Sequence, residues 1–282
     1  MRIVVPAPPG GNLDMAARAL AQRLTAITGE THVIENRAGA NTAIGTEYVA
    51  RSPADGRHLL VTGTAVVLND WMQKQSFSPL QDLRPVIQLS SVTYVLVVPE
   101  SGPASVKELV DRAASRREGL NCGAPPGPMT MACEQLRERL GGKVTAVPYQ
   151  GIGPAVTALL GGHVDFMFVN IEAVDSLLQG HRLRALAASS PTGQVPLMAD
   201  LWPGFLIEGF AGVFAPARTP AEKVLQINRQ VNQVLAEPRF AAQMMEAGQD
   251  PVGGSAEQFT ARVIEIHRRY GEMIRKLGLS VR

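Results

Sequence analysis

The stretch "VVPAPPGGNLDMAARALAQRL", Val4–Leu24, decides the fold. Its apolar start reads as a strand, while Leu13, Ala17, Leu20, Leu24 and then Ile27 recur at helical spacing, with Arg18, Gln22 and Arg23 on the other face. Asn12 is the expected N-cap and Gly29 the expected stop. Between strand and helix, Pro8-Pro9-Gly10-Gly11 either packs a tight turn or leaves backbone N–H groups pointing at something negative. "HVIEN" (32–36) supplies the next strand, so the opening is a β-loop-α-β unit of the kind that builds parallel sheets.

The alternation continues outward from this unit. A helix is expected near Ala43–Ala50, a strand at "HLLVTG" (58–63), then the strand pair "VIQLS" (86–90) and "TYVLVVP" (93–99). Ser105-x-x-Glu108 is a capping box that opens a helix to about Arg116. "LNCG" (120–123), "VTAVPY" (144–149), "VDFMFVN" (164–170) and "LRALAAS" (183–189) read as strands. Helices are expected between them, near Thr130–Leu140, Gly153–Leu160 and Glu172–Gln179. After "GVFAP" (212–216), Thr219-Pro220-Ala221-Glu222 combines an N-cap, a first-position Pro and a capping-box Glu, opening a long helix to about Glu237. Ser255-x-x-Gln258 opens another, with Phe259, Val263, Ile266 and Tyr270 on one stripe. Strand-helix alternation at this density is α/β, without internal repeat or low-complexity linker.

The bulk numbers exclude several classes of function. At 282 residues, 45% hydrophobic and 18% charged, the chain is long enough for one large or two ordinary folded domains. Its net charge of +2 is spread in mixed-sign stretches, so no basic run tracks a nucleic-acid backbone. No apolar stretch approaches the roughly 18 residues that span a bilayer. The sequence opens on a strand without a charged and apolar leader, which leaves two readings: a cytoplasmic protein, or an exported one whose leader has been removed. Cys122 and Cys133 form no metal or framework pattern; one bridge across a loop and two buried thiols both remain open.

Catalytic apparatus is nearly missing. His32, His58, His163, His181 and His267 are scattered, no G-x-S-x-G elbow occurs, and "GIGPA" (151–155) lacks the last glycine of a dinucleotide fingerprint. No metal or cofactor is expected. What recurs is a loop of Gly and small residues between the end of a strand and a helix: "PAPPGGN" (6–12), "TGTA" (62–65), "GAPPGPMT" (123–130) and "PYQGIG" (148–153). Ligands of open α/β sheets sit on this edge, where helix N-termini offer unpaired N–H groups and the positive dipole end. Asp14 in the first turn stabilises the helix by roughly 0.3–1 kcal/mol on its own. If an anion binds here, Asp14 must turn into the loop or answer a positive group on the ligand.

Together these pieces resemble one family, the periplasmic solute receptors of tripartite tricarboxylate transporters, called Bug proteins. The resemblance rests on "RIVVPAPPGGNLDMAAR" (2–18), "IENRAGANTAIG" (34–45), "PADGRHLL" (53–60), "VPYQGIGPA" (147–155), "GGHVDFMFVN" (161–170), "LRALAASS" (183–190) and "GVFAPARTP" (212–220). These motifs cover nearly the whole chain in order. The resemblance implies a two-lobed α/β periplasmic-binding fold, lobe one being residues 1–97 plus 210–282 and lobe two residues 98–209, with a ligand cleft between them that closes on a hinge. It further implies capture of a small carboxylate, delivery to membrane permease subunits, a periplasmic location with the export signal absent from this sequence, and a monomer.

By position the family's carboxylate-binding loop falls on Ala7, Pro8, Pro9, Gly10 and Gly11, with Asp14 at its acidic position. Thr64 and Ala65 lie in the next loop of lobe one. Lobe two would contribute Gly123, Ala124, Met129 and Thr130, then Tyr149, Gln150, Gly151 and Asn170; Tyr149 has packing as its alternative task. Two departures bear on the ligand. Where relatives carry a Ser/Gly-rich stretch, Pro125, Pro126 and Pro128 remove three backbone donors, and Ala7 stands where relatives commonly have Phe. A roomier, less polar half-site is expected, favouring a carboxylate with a bulky apolar or aromatic body over a short dicarboxylic amino acid. Two rivals remain: an enzyme of similar fold holding a phosphate ester, with Asp14, Tyr149 or Asp165 as base, and a sensor subunit of a membrane kinase.

Overall fold

The computed structural model describes residues 1–246 and 249–279. The chain divides into two compact units, Met1–Val92 with the segment from Gly209 onward, and Thr93–Glu208. Boundaries expected after residues 97 and 209 thus move to Val92 and Glu208, and residues 280–282 of the expected first lobe lie outside the described residues. The shift has a simple cause. "VIQLS" and "TYVLVVP" are not paired with each other; they belong to different sheets, and the chain changes sheet at Thr93 rather than within the second strand.

The first unit carries β1 (Arg2–Val5), α1 (Asn12–Thr28), β2 (Val33–Asn36), α2 (Ala43–Ala50), β3 (His58–Gly63), α3 (Ala65–Met72), α4 (Pro79–Asp82) and β4 (Leu83–Val92). The second carries β5 (Tyr94–Pro99), α5 (Val106–Ser115), β6 (Leu120–Ala124), α6 (Pro128–Arg139), β7 (Val144–Pro148), α7 (Ile152–Leu160), β8 (Phe166–Asn170), α8 (Asp175–Gln179), β9 (Leu183–Ala188) and α9 (Met198–Leu201). The chain then returns to the first unit with β10 (Gly209–Pro216), α10 (Ala221–Leu235), α11 (Pro238–Glu246), β11 (Gln249–Gly253) and α12 (Ala256–Lys276).

The first sheet runs β11-β4-β10-β3-β1-β2. β1 is parallel to β2 and β3, and β10 runs antiparallel to β3 and β4. Its inward residues Ile3, Val5, Leu59, Val61 and Val213 are covered by Ala17, Leu20 and Leu24 of α1 and by Val224, Ile227 and Val231 of α10. Each of the Val, Leu and Ile side chains among them contributes about 1.5–3 kcal/mol on burial. On β10 the alternate residues Phe210 and Phe214 stack with Phe259 of α12, and Gly212 between them is obligatory: a Cβ there would lie 2.2 Å from the Phe259 ring.

The second sheet runs β7-β6-β8-β5-β9, with β6 parallel to β7 and β8, and β5 antiparallel to β8 and β9. Val95, Val97, Met167 and Val169 meet Ala155 and Leu159 of α7 in its core. A disulfide joins Cys122 of β6 to Cys133 of α6, which decides between the two readings of the cysteines.

Caps follow the sequence in part. Ser255 and Gln258 form a complete capping box, and the Ser105 hydroxyl accepts from the Glu108 amide. Gly11, not Asn12, is the N-cap of α1, and Pro220, not Thr219, precedes α10 without a side-chain cap. The helix expected over 172–179 is shorter because Ile171–Ala173 form a separate turn.

Candidate functional site

The loops that the sequence singles out emerge at strand ends and lead directly into helices. In the first unit β1 and β3 end side by side, which brings Pro8, Pro9, Gly10 and Gly11 to the same sheet edge as Thr64 and Ala65. Pro8–Gly11 are exposed and Ala7 is half-buried. Gly10 has φ 86°, a left-handed value that glycine adopts without steric cost. Gly11 then enters α1 in extended backbone, φ −78°. The 17-residue α1 therefore opens directly onto this loop, with first-turn N–H groups that have no acceptor inside the helix.

Asp14 is the organiser of this loop. Its side chain is buried, and Oδ2 accepts from the Gly10 amide and from Arg18 Nε, both at 2.9 Å, while Oδ1 accepts from Asn36 Nδ2 at 2.8 Å. Burial opposes its ionisation, but hydrogen bonds from Arg18, the Gly10 amide and Asn36, together with the Arg18 charge, outweigh that and lower its pKa from 3.8 to about 2. Asp14 is thus turned into the loop and neutralised by Arg18. Arg18 Nη2 donates to Asn36 Oδ1 at 2.9 Å, which closes a ring of three side chains, Asp14, Arg18 and Asn36, and Asn36 also donates to the Ala7 carbonyl at 3.1 Å. Asn36 and Arg18 were not singled out from the sequence. Their only signal is that Asn36 ends the strand "HVIEN" and Arg18 follows Asp14 by one helical turn.

Thr64 is buried at the start of α3, where its Oγ1 accepts from the Phe210 amide at 2.9 Å, a bond that does not use the hydroxyl proton. Its carbonyl accepts from Val67 and Leu68. Ala65 is the first helical residue and half-buried.

In the second unit β6, β7 and β8 are parallel, and Ala124, Pro148 and Asn170 mark their C-terminal ends at one edge. Gly123 and Ala124 are buried, as are Pro125, Gly127, Pro128 and Met129, and only Pro126 of this loop is exposed. Gly127 at φ 90° begins the turn into α6. The Thr130 hydroxyl donates to the Pro125 carbonyl at 2.6 Å, so it is committed within the loop. Tyr149 packs its ring against the core with Val147 and Ile152, and its amide reaches the Ala124 carbonyl at 3.3 Å, tying the loops after β6 and β7 together. Gln150 is exposed, and Gly151 precedes α7 without a side-chain cap. Asn170 is buried and donates to Glu172 Oε1.

Among the described residues no group of three His, Cys, Asp or Glu is placed to hold a metal, and no helix is long and apolar enough to cross a membrane. The donors gathered at these strand ends are mainly backbone amides, held by side chains that are themselves hydrogen-bonded inward.

Two mixed-sheet α/β units, each with glycine- and proline-rich loops at its strand ends, have the build of a solute-binding receptor of the periplasmic binding class. The family model for the tripartite tricarboxylate transporter family receptor, TctC, matches residues 16–279, and the chain belongs to that family. It is 31% identical to protein BugT of Bordetella pertussis over 302 aligned positions, covering 100% of this chain and 90% of that one. The structure of periplasmic binding protein BugD superposes with a TM-score of 0.86 at 26% identity, covering 99% of this chain and 98% of the other. Rpa4515 of R. palustris with adipate gives a TM-score of 0.88 at 29% identity over 99% and 97% of the two chains. The family and these neighbours are receptors, so the protein is not an enzyme, and the phosphate-ester enzyme weighed from the sequence is set aside.

Proposed function

We propose that this chain is an extracytoplasmic receptor that captures a small organic carboxylate and delivers it to the membrane subunits of a tripartite tricarboxylate transporter, acting as a monomer. The observation that carries the reading is the Asp14-braced loop Pro8–Gly11 opening onto the N-terminus of α1: Pro8 and Pro9 carry no N–H and the Gly10 amide is bonded to Asp14, so the donors on offer are the Gly11 amide and the first-turn amides of α1, above a buried acid already paired with Arg18. The first unit's half-site, Ala7–Gly11 with Thr64 and Ala65, takes the carboxylate. Charge-assisted hydrogen bonds to such a group contribute about 1.5–3 kcal/mol each. In the second unit the residues we assign to ligand contact are Gly123, Ala124, Met129, Thr130, Tyr149, Gln150, Gly151 and Asn170. Its prolines lack donors and its Thr130 hydroxyl is spent on Pro125, which suits an apolar or aromatic body. The R. palustris relative is described with adipate, a dicarboxylate whose aliphatic middle suits an apolar lining but whose second carboxylate calls for donors at its far end, so adipate belongs in the test beside monocarboxylates.

The test is a thermal-shift screen with adipate, benzoate-type acids, branched aliphatic acids, aspartate and citrate, run on the wild type and on Gly11→Pro. A ligand at a hundred times its dissociation constant adds about 2.7 kcal/mol, which raises the midpoint by several degrees at roughly 2–4 °C per kcal/mol. Gly11 has a φ that proline shares, so the variant deletes one N–H with the backbone kept, and its response to the best acid should vanish while its own midpoint holds. Tight binding of aspartate or citrate with no response to the bulkier acids would remove the apolar body from the reading. An undiminished response of Gly11→Pro would remove the loop.

A further inference from the structure

The loop after β2 lies beside the first of the two loops assigned to the carboxylate, because β2 is the parallel neighbour of β1 on the side away from β3. It holds the one run of consecutive left-handed non-glycine residues among those described: Ala40 at φ 45°, Asn41 at φ 50° and Thr42 at φ 78°. Non-glycine residues enter this region as single residues, asparagine more readily than alanine or threonine, because Cβ crowds the carbonyl oxygen. Three in succession persist only where the surroundings over-determine them, and such backbone gathers at ligand-handling segments.

The surroundings here are two side chains, one on α3 and one at its C-terminal end. Asn69, 1% exposed, donates through Nδ2 to the Asn41 carbonyl, and Asn41 Nδ2 donates back to Asn69 Oδ1 at 2.6 Å. One turn on, Gln73 Nε2 donates to the Ala40 carbonyl at 3.2 Å. The same helix begins at Thr64 and Ala65, so the turn is fastened to the second of the two loops of the half-site. At its other end the segment is fastened to the first loop, through Asn36 on Ala7 and Asp14 and through the close approach of Gly45 to Pro6, where a Cβ would stand 2.8 Å from the proline ring.

We propose that Asn69 is a positioning residue of the carboxylate half-site: by holding Ala40–Thr42 in left-handed backbone it sets the spacing between the Pro8–Gly11 loop and the Thr64–Ala65 loop. This rests on the receptor reading above. A purely structural asparagine pair would stabilise the fold and leave affinity alone, so the test reads both. Adipate is titrated calorimetrically into the wild type, Asn69→Ala, and Asn69→Ala combined with Asn41→Gly and Thr42→Gly; if the wild type ignores adipate, the acid with the largest thermal shift replaces it. Asn69→Ala should weaken binding at least tenfold. The triple variant, in which glycine adopts the left-handed turn without the clamp, should recover affinity to within about threefold even though the asparagine pair is still missing. Where Asn69→Ala fails to fold, Asn69→Asp keeps the acceptor for Asn41 and deletes the donor to its carbonyl, and should weaken binding in the same direction. Wild-type affinity in Asn69→Ala or Asn69→Asp overturns the proposal, as does a triple variant that regains its melting midpoint without regaining affinity. A wild type that binds no acid in the screen fails the receptor reading itself, and the inference falls with it.

Discussion

Asp14 combines two roles that compete in most proteins. An acid in the first turn of a helix is favoured by the dipole, yet an anion site at the same place is disfavoured by a second negative charge. Here the conflict is removed because both carboxylate oxygens are saturated by Gly10, Arg18 and Asn36, and the charge is paired at 2.9 Å. Asp14→Asn leaves one oxygen for these donors and turns an NH2 group toward one of them, so stability should fall by about 1–3 kcal/mol and the Pro8–Gly11 turn should loosen. The pH dependence has a definite sign. A folded pKa of about 2 against an ordinary 3.8 means that the unfolded chain binds more protons between those values, so the contribution is present above about pH 4 and is lost as pH falls through 2. Melting midpoints of the wild type and Asp14→Asn should converge from pH 5 to pH 2. Parallel loss of stability over that range would show that Asp14 is not the group that titrates.

At the scale of elements, one loop of the second unit's half-site is built between two covalently joined points. Cys122 and Cys133 are eleven positions apart, and the loop Pro125–Thr130 with its three prolines lies between them. Closing a loop of this length removes about 3 kcal/mol of unfolded-state entropy in the chain-entropy account. Denaturant unfolding of Cys122→Ala with Cys133→Ala, or of the reduced chain, should shift by about that amount for the second unit and leave the first unit's transition in place. An unchanged transition on reduction would mean that the bond contributes nothing beyond its packing. Most of the elements were legible because their signals are local: the Ser255 capping box, the Gly29 stop and the stripe Phe259, Val263, Ile266 and Tyr270 need no distant partner. The illegible parts are those set by distant residues. Gln249–Gly253, which contains Pro251, is a strand only because β4 pairs with it. Ala40–Thr42 carries no glycine to announce a left-handed turn, and the asparagine that holds Asn41 is 28 positions away. In the site, the exposed glycines could be read from composition, whereas the inward bonds of Thr64 and Thr130 could not.

For the whole molecule, the point where the chain leaves and re-enters the first unit has consequences for folding. Val92 at the end of β4 and Gly209 at the start of β10 are directly opposite each other in an antiparallel ladder, so the entire second unit is inserted where a tight hairpin turn would otherwise stand. Thr93–Glu208 has its own five-stranded sheet, apolar core and disulfide, which are the requirements for independent folding. Expressed alone in oxidised form, this segment should show a cooperative thermal transition. The first unit should also survive if Val92 and Gly209 are joined by Asn-Gly, a pair that adopts the two-residue turn matching the twist of antiparallel strands. Circular dichroism melts of both pieces decide the matter. Two cooperative transitions mean that each half-site rests on a scaffold that folds by itself; a joined first unit that stays unfolded would mean that the six-stranded sheet depends on the insertion, since the β4–β10 register would then be set by the second unit and not by the packing of Phe210, Phe214 and Phe259.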